Sequence, residues 1–254
     1  MAVTTKAVEA GLYLYGITVA QGAVPVEVPG VENGEIEQIA EGSLAAIVTR
    51  VTAQKIRPQR SNLAAHHHVL RDLAGQQPIL PVAFGTIGNS EEQLRELLRV
   101  NHDVLLEQLQ RLRGKVEMGL RVYWETPNIF EFFVATHQEL EQMRNRLFRP
   151  GRVPTLGEKL EMGRLFASLI EESRRRHTER VTEALAPYCV EIRSMDSSDE
   201  RMVMKLACLV EKSRQPRWEE GLEATARLFD NHYCFQYSGP WAPYNFAEVD
   251  LELI

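Results

Sequence analysis

The chain has 254 residues, of which 44% are hydrophobic and 25% are charged. This composition can supply a sizeable buried core and excludes disorder as a global description. The 29 basic and 35 acidic residues give a formal net charge of −6, which argues against bulk attraction to nucleic acid or to an anionic membrane. We therefore expect protein or small-molecule partners.

The N-terminal residues and the cysteines bear on location. Residues 1–11 lack the long apolar region of a secretory leader, and no apolar run elsewhere reaches the length of a bilayer span. Cys189, Cys208 and Cys234 are an odd number of widely spaced cysteines with apolar or aromatic neighbours. We expect a cytoplasmic protein with three buried, reduced thiols and no bound metal.

Short strands and turn residues open the chain. Residues 12–19, 35–40 and 43–51 predict strands that pair as a small sheet. A helix is expected to begin at the N-cap Ser61 and to end before Pro78.

Two further elements complete the first half. Residues 79–86 are apolar enough for a strand, but Pro81 lacks a backbone donor, so we expect an edge position or a bulge there. Ser90 and Gln93 form a capping-box pattern. One helix is predicted from this point to a stop at Gly114, because leucines occur at helical spacing at positions 94, 97, 98, 105, 109 and 112.

The second half alternates strands with long helices. Strict alternation predicts a strand over 115–125, followed by a helix from Thr126 that fades before residue 150. Thr155 and Glu158 form a capping box that opens a long helix to about Leu185. The remaining predicted elements are strands at 189–195 and 202–210 around a polar turn at 196–199, a helix at 218–230 and a strand at 233–237.

These elements predict two α+β domains. Residues 1–114 form a small mixed sheet with helices. In residues 115–238 the order strand, helices, two strands, helix, strand is that of a ferredoxin-like fold, an antiparallel sheet with helices on one face. Residues 239–254 form a C-terminal segment rich in aromatic residues and proline.

The C-terminal segment combines aromatic surface with a stiff backbone. Pro240 and Pro243 restrict it, so we expect an ordered, irregular clamp that is neither helix nor central strand. Trp241, Tyr244 and Phe246 can each bury about 150–250 Å². That surface either packs within the protein or faces a partner, and these three residues are the candidate interaction residues.

Motifs for catalysis are missing from the sequence. It contains no His-Glu-x-x-His, Gly-x-Ser-x-Gly, P-loop or Gly-x-Gly-x-x-Gly pattern, so we expect a non-enzyme without a cofactor. His66, His67 and His68 are consecutive in a predicted helix and point about 100° apart, so they cannot share one metal.

Other conspicuous residues have ordinary explanations. The Arg-Arg-Arg-His run at 174–177 is interpreted as a solvated helix face, with an acidic protein partner as the alternative. The Gly-Thr-Ile-Gly string at 85–88 is interpreted as a helix-capping turn rather than a nucleic-acid-binding loop. Asp103, Glu117 and Glu125 are interpreted as surface carboxylates, because no spacing pairs them.

Three strings occur in an order that is typical of one protein family. They are Leu-Tyr-Leu-Tyr-Gly-Ile at 12–17, Ile-Leu-Pro-Val-Ala-Phe-Gly-Thr at 79–86 and Gly-Pro-Trp-Ala-Pro-Tyr-Asn-Phe at 239–246. Together they resemble the gas-vesicle protein F/L family across residues 12–249, with Ala242 standing where the family usually has a second proline.

The resemblance implies an accessory or minor structural protein of gas vesicles, the air-filled protein shells that give some microorganisms buoyancy. Such a protein would bind the apolar major shell protein, and with it other gas-vesicle proteins, and support nucleation or assembly, because apolar subunits are aggregation-prone before they assemble. It would be cytoplasmic before assembly and a minor component of the vesicle afterwards. The alternative is a nucleic-acid-binding module on a ferredoxin-like scaffold, against which stand the acidic charge and the lack of a basic stripe.

Overall fold

A computed structural model describes residues 11–20, 22, 26, 28–53, 55–196 and 199–248. The predicted turn at 196–199 lies partly outside them, at residues 197 and 198. The described chain divides into two compact units. The first unit takes in the chain up to Met118, Glu211–Ser213, and the chain from Gly239 onward, and the second unit comprises Gly119–Val210 and Arg214–Ser238.

The first unit is built on an antiparallel sheet. Its strands are β1 (Gly11–Val19), β2 (Glu37–Glu41), β3 (Leu44–Val51), β4 (Ile79–Pro81) and β5 (Ile87–Gly88). The order is β2-β3-β1-β4, and β5 also pairs with β1. Pro81 therefore lies on an edge strand, as predicted from its missing donor. Gly16 on β1 permits the close approach of β4, because a Cβ at this position would lie 2.5 Å from the Leu80 carbonyl oxygen.

Within the described part of the first unit, three helices accompany this sheet: α1 (Arg60–Gln76), α2 (Glu91–Val100) and α3 (His102–Leu112). Gln59 rather than Ser61 is the N-cap of α1, whereas Ser90 caps α2 as predicted by accepting from the Gln93 backbone at 3.1 Å. The single predicted helix up to Gly114 is wrong. Asn101 interrupts it, because its side chain bonds back to the Leu97 carbonyl at 2.9 Å and competes with helical pairing.

The second sheet contains β6 (Lys115–Trp124), β7 (Glu191–Ser194), β8 (Met202–Glu211) and β9 (Tyr233–Trp241) in the order β7-β8-β6-β9. The end of β6 bonds to the residues just before β8 and β9, through Trp124 N to Arg201 O at 3.0 Å and Glu125 N to His232 O at 2.6 Å. Both of its neighbours are therefore antiparallel to β6. This confirms the predicted α+β fold class and the ferredoxin-like order of the second half.

Strand β9 is longer than predicted. It continues past Tyr237 through Pro240 to Trp241. The prediction of an irregular backbone is therefore wrong for residues 239–241, the first three of the C-terminal segment. The strand tolerates Pro240 because β9 is at the edge of the sheet.

The helices of the second unit are α4 (Ile129–Thr136), α5 (Gln138–Leu147), α6 (Leu156–Leu185) and α7 (Gln215–Ala226). The single helix predicted from Thr126 is wrong, because Asn128 supplies the cap of α4 and the backbone of His137 is extended. The capping box of α6 is confirmed: Thr155 Oγ1 accepts from Glu158 N at 3.3 Å and Glu158 Oε2 accepts from Thr155 N at 3.0 Å. Among the described residues, no helix combines the length and apolar composition of a membrane span.

The cysteines are unbridged, and only Cys208 on β8 is buried. Cys189 precedes β7 and Cys234 lies on the edge strand β9, and both are partly exposed. The expectation of three buried thiols is wrong for these two. Strand ends and edge strands lack a neighbour on one side, so an apolar flanking sequence is not enough to bury them.

Candidate functional site

The three candidate interaction residues lie in the first unit, in three different environments. Trp241 ends β9 and is 38% exposed. Tyr244 and Phe246 belong to a single 3-10 turn, Tyr244–Phe246. Tyr244 is half-buried and Phe246 is fully buried, so Phe246 is a core residue, and Trp241 is the member of the set with the most accessible surface.

Tyr244 is hydrogen-bonded to a histidine of α1. Its hydroxyl lies 2.5 Å from His66 Nε2 and 3.4 Å from the Val82 carbonyl oxygen. The other ring nitrogen, His66 Nδ1, lies 2.9 Å from the hydroxyl of Tyr13 on β1. His66 therefore joins the C-terminal segment to the central strand of the first sheet.

The direction of these bonds follows from the groups at each end. The Val82 carbonyl can only accept, so the Tyr244 hydroxyl donates to it and accepts from His66 Nε2–H. At the other end, the Tyr13 hydroxyl accepts from Gly85 N at 3.3 Å and donates to His66 Nδ1. Both ring nitrogens of His66 and the hydroxyls of Tyr13 and Tyr244 have suitable partners when His66 is neutral and carries its proton on Nε2.

Burial keeps all three ionisable groups in their neutral forms. The buried position of His66, together with neighbouring His67, lowers the pKa of His66 to about 4. Burial raises the pKa of Tyr13 and of Tyr244. The network is therefore a neutral support for the C-terminal segment rather than an acid–base pair poised near pH 7.

A buried carboxylate holds the next residue of the segment. Glu117 on β6 is only 6% exposed and accepts from Asn245 twice, from the backbone N at 2.8 Å and from Nδ2 at 2.6 Å. The interpretation of Glu117 as a surface carboxylate is wrong. Two donors aimed at its two oxygens compensate for the cost of burying the charge.

The end of the described segment is held in the same way. Arg111 on α3 donates to the Phe246 carbonyl oxygen at 3.0 Å and lies 3.6 Å from the Glu248 carboxylate. Ala242 joins the hydrophobic core that contains Tyr13 and Val69. The residues that follow Trp241 are thus held by the core, by His66, by Glu117 and by Arg111, which gives the indole ring a rigid base.

Trp241 borders a groove of about 410 Å³ in the first unit. Its ring lies against the His67 ring, with centroids 6.2 Å apart. The groove is lined by His67, His68, Leu70, Arg71, Glu117, Trp241, Ala242, Tyr244 and Asn245. An aromatic face, two imidazoles and a guanidinium suit recognition of protein side chains. Among the described residues, no group of three or more His, Cys, Asp or Glu is placed to hold a metal ion.

Two residues of the Arg-Arg-Arg-His run at 174–177 contact other parts of the protein and do not form a solvated face. Arg174 donates to the carbonyls of Met202 and Glu200, each at 3.0 Å, and His177 bonds to the Tyr233 hydroxyl at 2.9 Å. The solvated-face interpretation is wrong for these two residues of the 174–177 run.

The structure agrees with the interpretation of four other residues and, in part, with that of the 85–88 string. Arg175 and Arg176 are exposed, as are Asp103 and Glu125. Residues 85–88 form a turn and the short strand β5, which leads into the cap of α2.

Sequence reasoning missed His66 and Asn245 as supports of the segment. His66 precedes the buried Leu70 and Leu73 by four and seven residues, so it occupies the apolar stripe of its helix, which is a recognisable signal. Asn245 has no comparable signal, because its partner is 128 residues away in the sequence.

Comparison with known proteins gives consistent matches over nearly the whole chain. A family model described as "Gas vesicle synthesis protein GvpL/GvpF" matches residues 11–248. Gas vesicle protein F of Dolichospermum flosaquae is 25% identical over 242 residues, which cover 94% of this chain and 98% of that relative. Gas vesicle protein L of Streptomyces sp. (strain CB03234) is 26% identical and covers 94% of each chain. The crystal structure of gas vesicle protein GvpF from Anabaena sp. PCC7120 has a TM-score of 0.82 at 24% identity, over 95% of this chain and 99% of that chain, and so shares the fold.

Proposed function

The chain belongs to the gas vesicle synthesis protein GvpL/GvpF family, and we propose that it binds the apolar major shell protein and supports nucleation or assembly of gas vesicles. Its association with gas vesicles follows from the family, which is a family of gas vesicle proteins and not of enzymes. In the proposed role, the protein covers apolar shell subunits before assembly and is retained as a minor vesicle component. Exposed apolar subunits aggregate unless a partner covers them.

One observation supports a binding surface at the C-terminal segment. Trp241 keeps 38% of its surface exposed, while Tyr244, Asn245 and Phe246 beyond it are fixed by hydrogen bonds. An aromatic side chain on a rigid base loses little entropy on binding. Tryptophan is also among the residue types that most often dominate interfaces.

The test is co-purification of the full-length protein with the major shell protein. We expect Trp241→Ala to weaken this binding by about tenfold or more, as is typical of an interface hot spot. The variant should keep its circular dichroism spectrum and melting temperature, because the indole is partly exposed. Val104→Ala is the matched control, since it removes an apolar side chain that is exposed elsewhere in the first unit and should not affect binding.

Three outcomes would contradict the proposal. Unfolding of Trp241→Ala would show that Trp241 is needed for packing. Unchanged binding of a folded variant would place the shell-binding surface elsewhere. Absence of binding to the shell protein, together with RNA binding that raised salt abolishes, would favour the nucleic-acid alternative, because apolar contacts persist at ionic strengths that screen phosphate contacts.

A further inference from the structure

Strand β9 of the second sheet has an open outer edge. Its inner side pairs with β6, and among the described residues no strand pairs with its outer side. Gln236, Tyr237 and Ser238 are exposed, and Tyr237 keeps 54% of its surface accessible. An edge strand presents backbone donors and acceptors to which another strand can bond.

The register of β9 on β6 identifies the backbone groups on the open side. Glu125 N donates to His232 O at 2.6 Å. A Cβ on Gly119 would lie 3.0 Å from Ser238 Oγ, so these two residues also face each other. The two contacts are six residues apart on both strands and therefore fit one uninterrupted antiparallel register. In such a register every second residue from His232 bonds to β6, and the residues between them direct their N–H and C=O groups outward. The outward residues are Tyr233, Phe235 and Tyr237.

One of the outward donors already has a partner. Tyr233 N donates to Asp230 O at 3.3 Å. The open donors are therefore the N–H groups of Phe235 and Tyr237, and the open acceptors are the carbonyl oxygens of the three outward residues. A strand that pairs with this edge must supply acceptors opposite the two open donors.

The other sheet edges carry features that oppose strand pairing. Strand β2 begins and ends with glutamate, and β7 has only four residues, including Glu191 and Arg193. Strands β4 and β5 are no longer than three residues. Charged side chains, short length and proline are the usual protections of an exposed edge. Residues 233–239 of β9 contain no charged residue and no proline, and Pro240 follows only near the end of the strand.

The outward residues are already held in position by their side chains. Phe235 packs on Phe229 with ring centroids 5.2 Å apart, and Tyr237 packs on Trp218 of α7 with ring centroids 5.7 Å apart. These contacts lie on one face of the sheet and leave the backbone edge accessible. An ordered strand loses little entropy when it pairs with another.

We propose that β9 pairs with β9 of a second copy of this chain, antiparallel about a two-fold axis at Phe235. Phe235 then lies opposite Phe235 of the second copy, and Tyr233 lies opposite Tyr237 of the second copy. Each Phe235 N–H meets a Phe235 carbonyl, and each Tyr237 N–H meets a Tyr233 carbonyl, so every open donor is bonded. Two four-stranded sheets become one continuous sheet in which the edge of β9 is closed.

A second copy matches this edge in backbone pattern, charge and side chains. The strand is uncharged, so two copies bring no like charges together along it. The pairing places aromatic residues opposite aromatic residues on the same face, which are favourable cross-strand pairs. A strand from another protein could use the same backbone groups, but the chain itself contains a strand with all three properties.

Cross-linking of the full-length protein tests the register. The proposed pairing places Cys234 opposite Gln236 of the second copy, in a non-hydrogen-bonded pair with Cα atoms about 4.5 Å apart, which is within the range of a disulfide. Gln236→Cys should therefore form a covalent dimer on mild oxidation, detected by non-reducing gel electrophoresis. Leu228→Cys, at an exposed position of the second unit outside β9, controls for random collision and should not.

A double variant fixes the position of the axis. Gln236→Cys with Cys234→Ser should lose the cross-link, because the two substituted positions are diagonal neighbours about 7–8 Å apart, too far for a disulfide. Cross-linking of this double variant would place the axis at Gln236 and overturn the register.

Sedimentation equilibrium measures the association itself. The native protein should show a monomer–dimer equilibrium. Tyr237→Pro removes an outward N–H but none of the bonds to β6, and should weaken the dimer by about tenfold or more, because each dimer loses two hydrogen bonds. Tyr237→Ala keeps the N–H and should weaken it less. Circular dichroism checks that both variants are folded.

Three results would overturn the pairing. The first is a native protein that stays monomeric at about 0.1 mM. The second is a dimer that folded Tyr237→Pro leaves unchanged, or a Leu228→Cys control that cross-links as well as Gln236→Cys. The third is a monomeric native protein whose binding to the shell protein is lost in Tyr237→Pro, which would assign the edge to a strand of that partner.

Self-association goes beyond the proposed function and is tested separately from it. The cross-linking and sedimentation experiments contain no shell protein. Trp241 lies beyond the paired residues 233–237, so Trp241→Ala should dimerise as the native protein does. Failure of shell binding therefore leaves the dimer standing, and absence of a dimer leaves the role of Trp241 standing.

Discussion

The hydrogen-bond partners of His66 fix its protonation state. It bonds to Tyr13 with one ring nitrogen and to Tyr244 with the other, and both tyrosines favour their neutral forms because burial raises their pKa. A proton added at Nδ1 would point at a hydroxyl that already accepts from Gly85 N and would place a charge in a buried site. The C-terminal segment is thereby coupled to pH through one residue.

This coupling predicts a loss of stability in mild acid. The pKa of His66 is about 4 in the folded protein, compared with about 6.5 in an unfolded chain. Between these values the unfolded state binds more protons, so stability falls as pH falls through this window. His66 alone should lower the free energy of unfolding by about 2 kcal/mol between pH 7 and pH 5. Urea denaturation at both pH values measures this difference.

Two variants isolate the contribution of His66. His66→Gln should be less stable at pH 7 but should show a shallower dependence on pH, and His68→Gln, at an exposed position of the same helix, should keep the native dependence. His177 contributes in the same window, because burial and the neighbouring Arg176 and Arg180 lower its pKa to about 4. An identical pH dependence in His66→Gln and the native protein would contradict the assignment.

Single residues also show where sequence reasoning reaches its limit. Glu117 occupies the polar phase of an alternating strand, so its pattern is that of a surface residue. It is buried because Asn245, far along the chain, supplies two donors. Such a pairing depends on tertiary structure, and a single sequence carries no record of it.

At the scale of elements, the two capping-box patterns marked helix beginnings correctly, whereas the single-residue caps at Ser61 and Thr126 and the interruptions of two helices were predicted wrongly. Ser90 and Thr155 cap their helices because the capping bonds involve residues only three positions apart. The interruptions at Asn101 and His137 were missed, since the apolar periodicity persists through them. The helices α2 and α3 bury Leu98 and Leu105 on the two sides of the break, so the leucine pattern alone cannot distinguish one helix from two.

The capping box of α6 gives a prediction at this scale. Thr155→Ala removes the side-chain acceptor of the Glu158 N–H and should lower the free energy of unfolding by about 1 kcal/mol. Ser168→Ala changes an exposed residue of the same helix and should alter stability by less than about 0.5 kcal/mol. Chemical denaturation measures both. Equal effects of the two substitutions would show that the capping box contributes little to α6.

At the scale of the whole molecule, the first unit is assembled from two parts of the chain that are far apart in sequence. The first unit combines residues before Met118 with residues after Gly239, and Phe246 and Ala242 supply buried side chains there. We retain as a proposal that residues 115–238 form a separately packed domain. If so, damage to the C-terminal segment should destabilise the first unit selectively.

Phe246→Ala tests this selectivity. Truncating a fully buried phenylalanine lowers the free energy of unfolding by about 3–5 kcal/mol. This loss of stability should be confined to the unit to which Phe246 belongs. Hydrogen exchange should accelerate at least tenfold in β1 and β3 but remain near native rates in β8, whose exchange reports on the second unit. Trp241→Ala is the control, since it alters the same segment at a partly exposed side chain and should leave both sets of amides protected. Equal acceleration in β1, β3 and β8 would mean that the chain unfolds as one cooperative unit, because separately packed domains open independently, and would contradict the domain proposal.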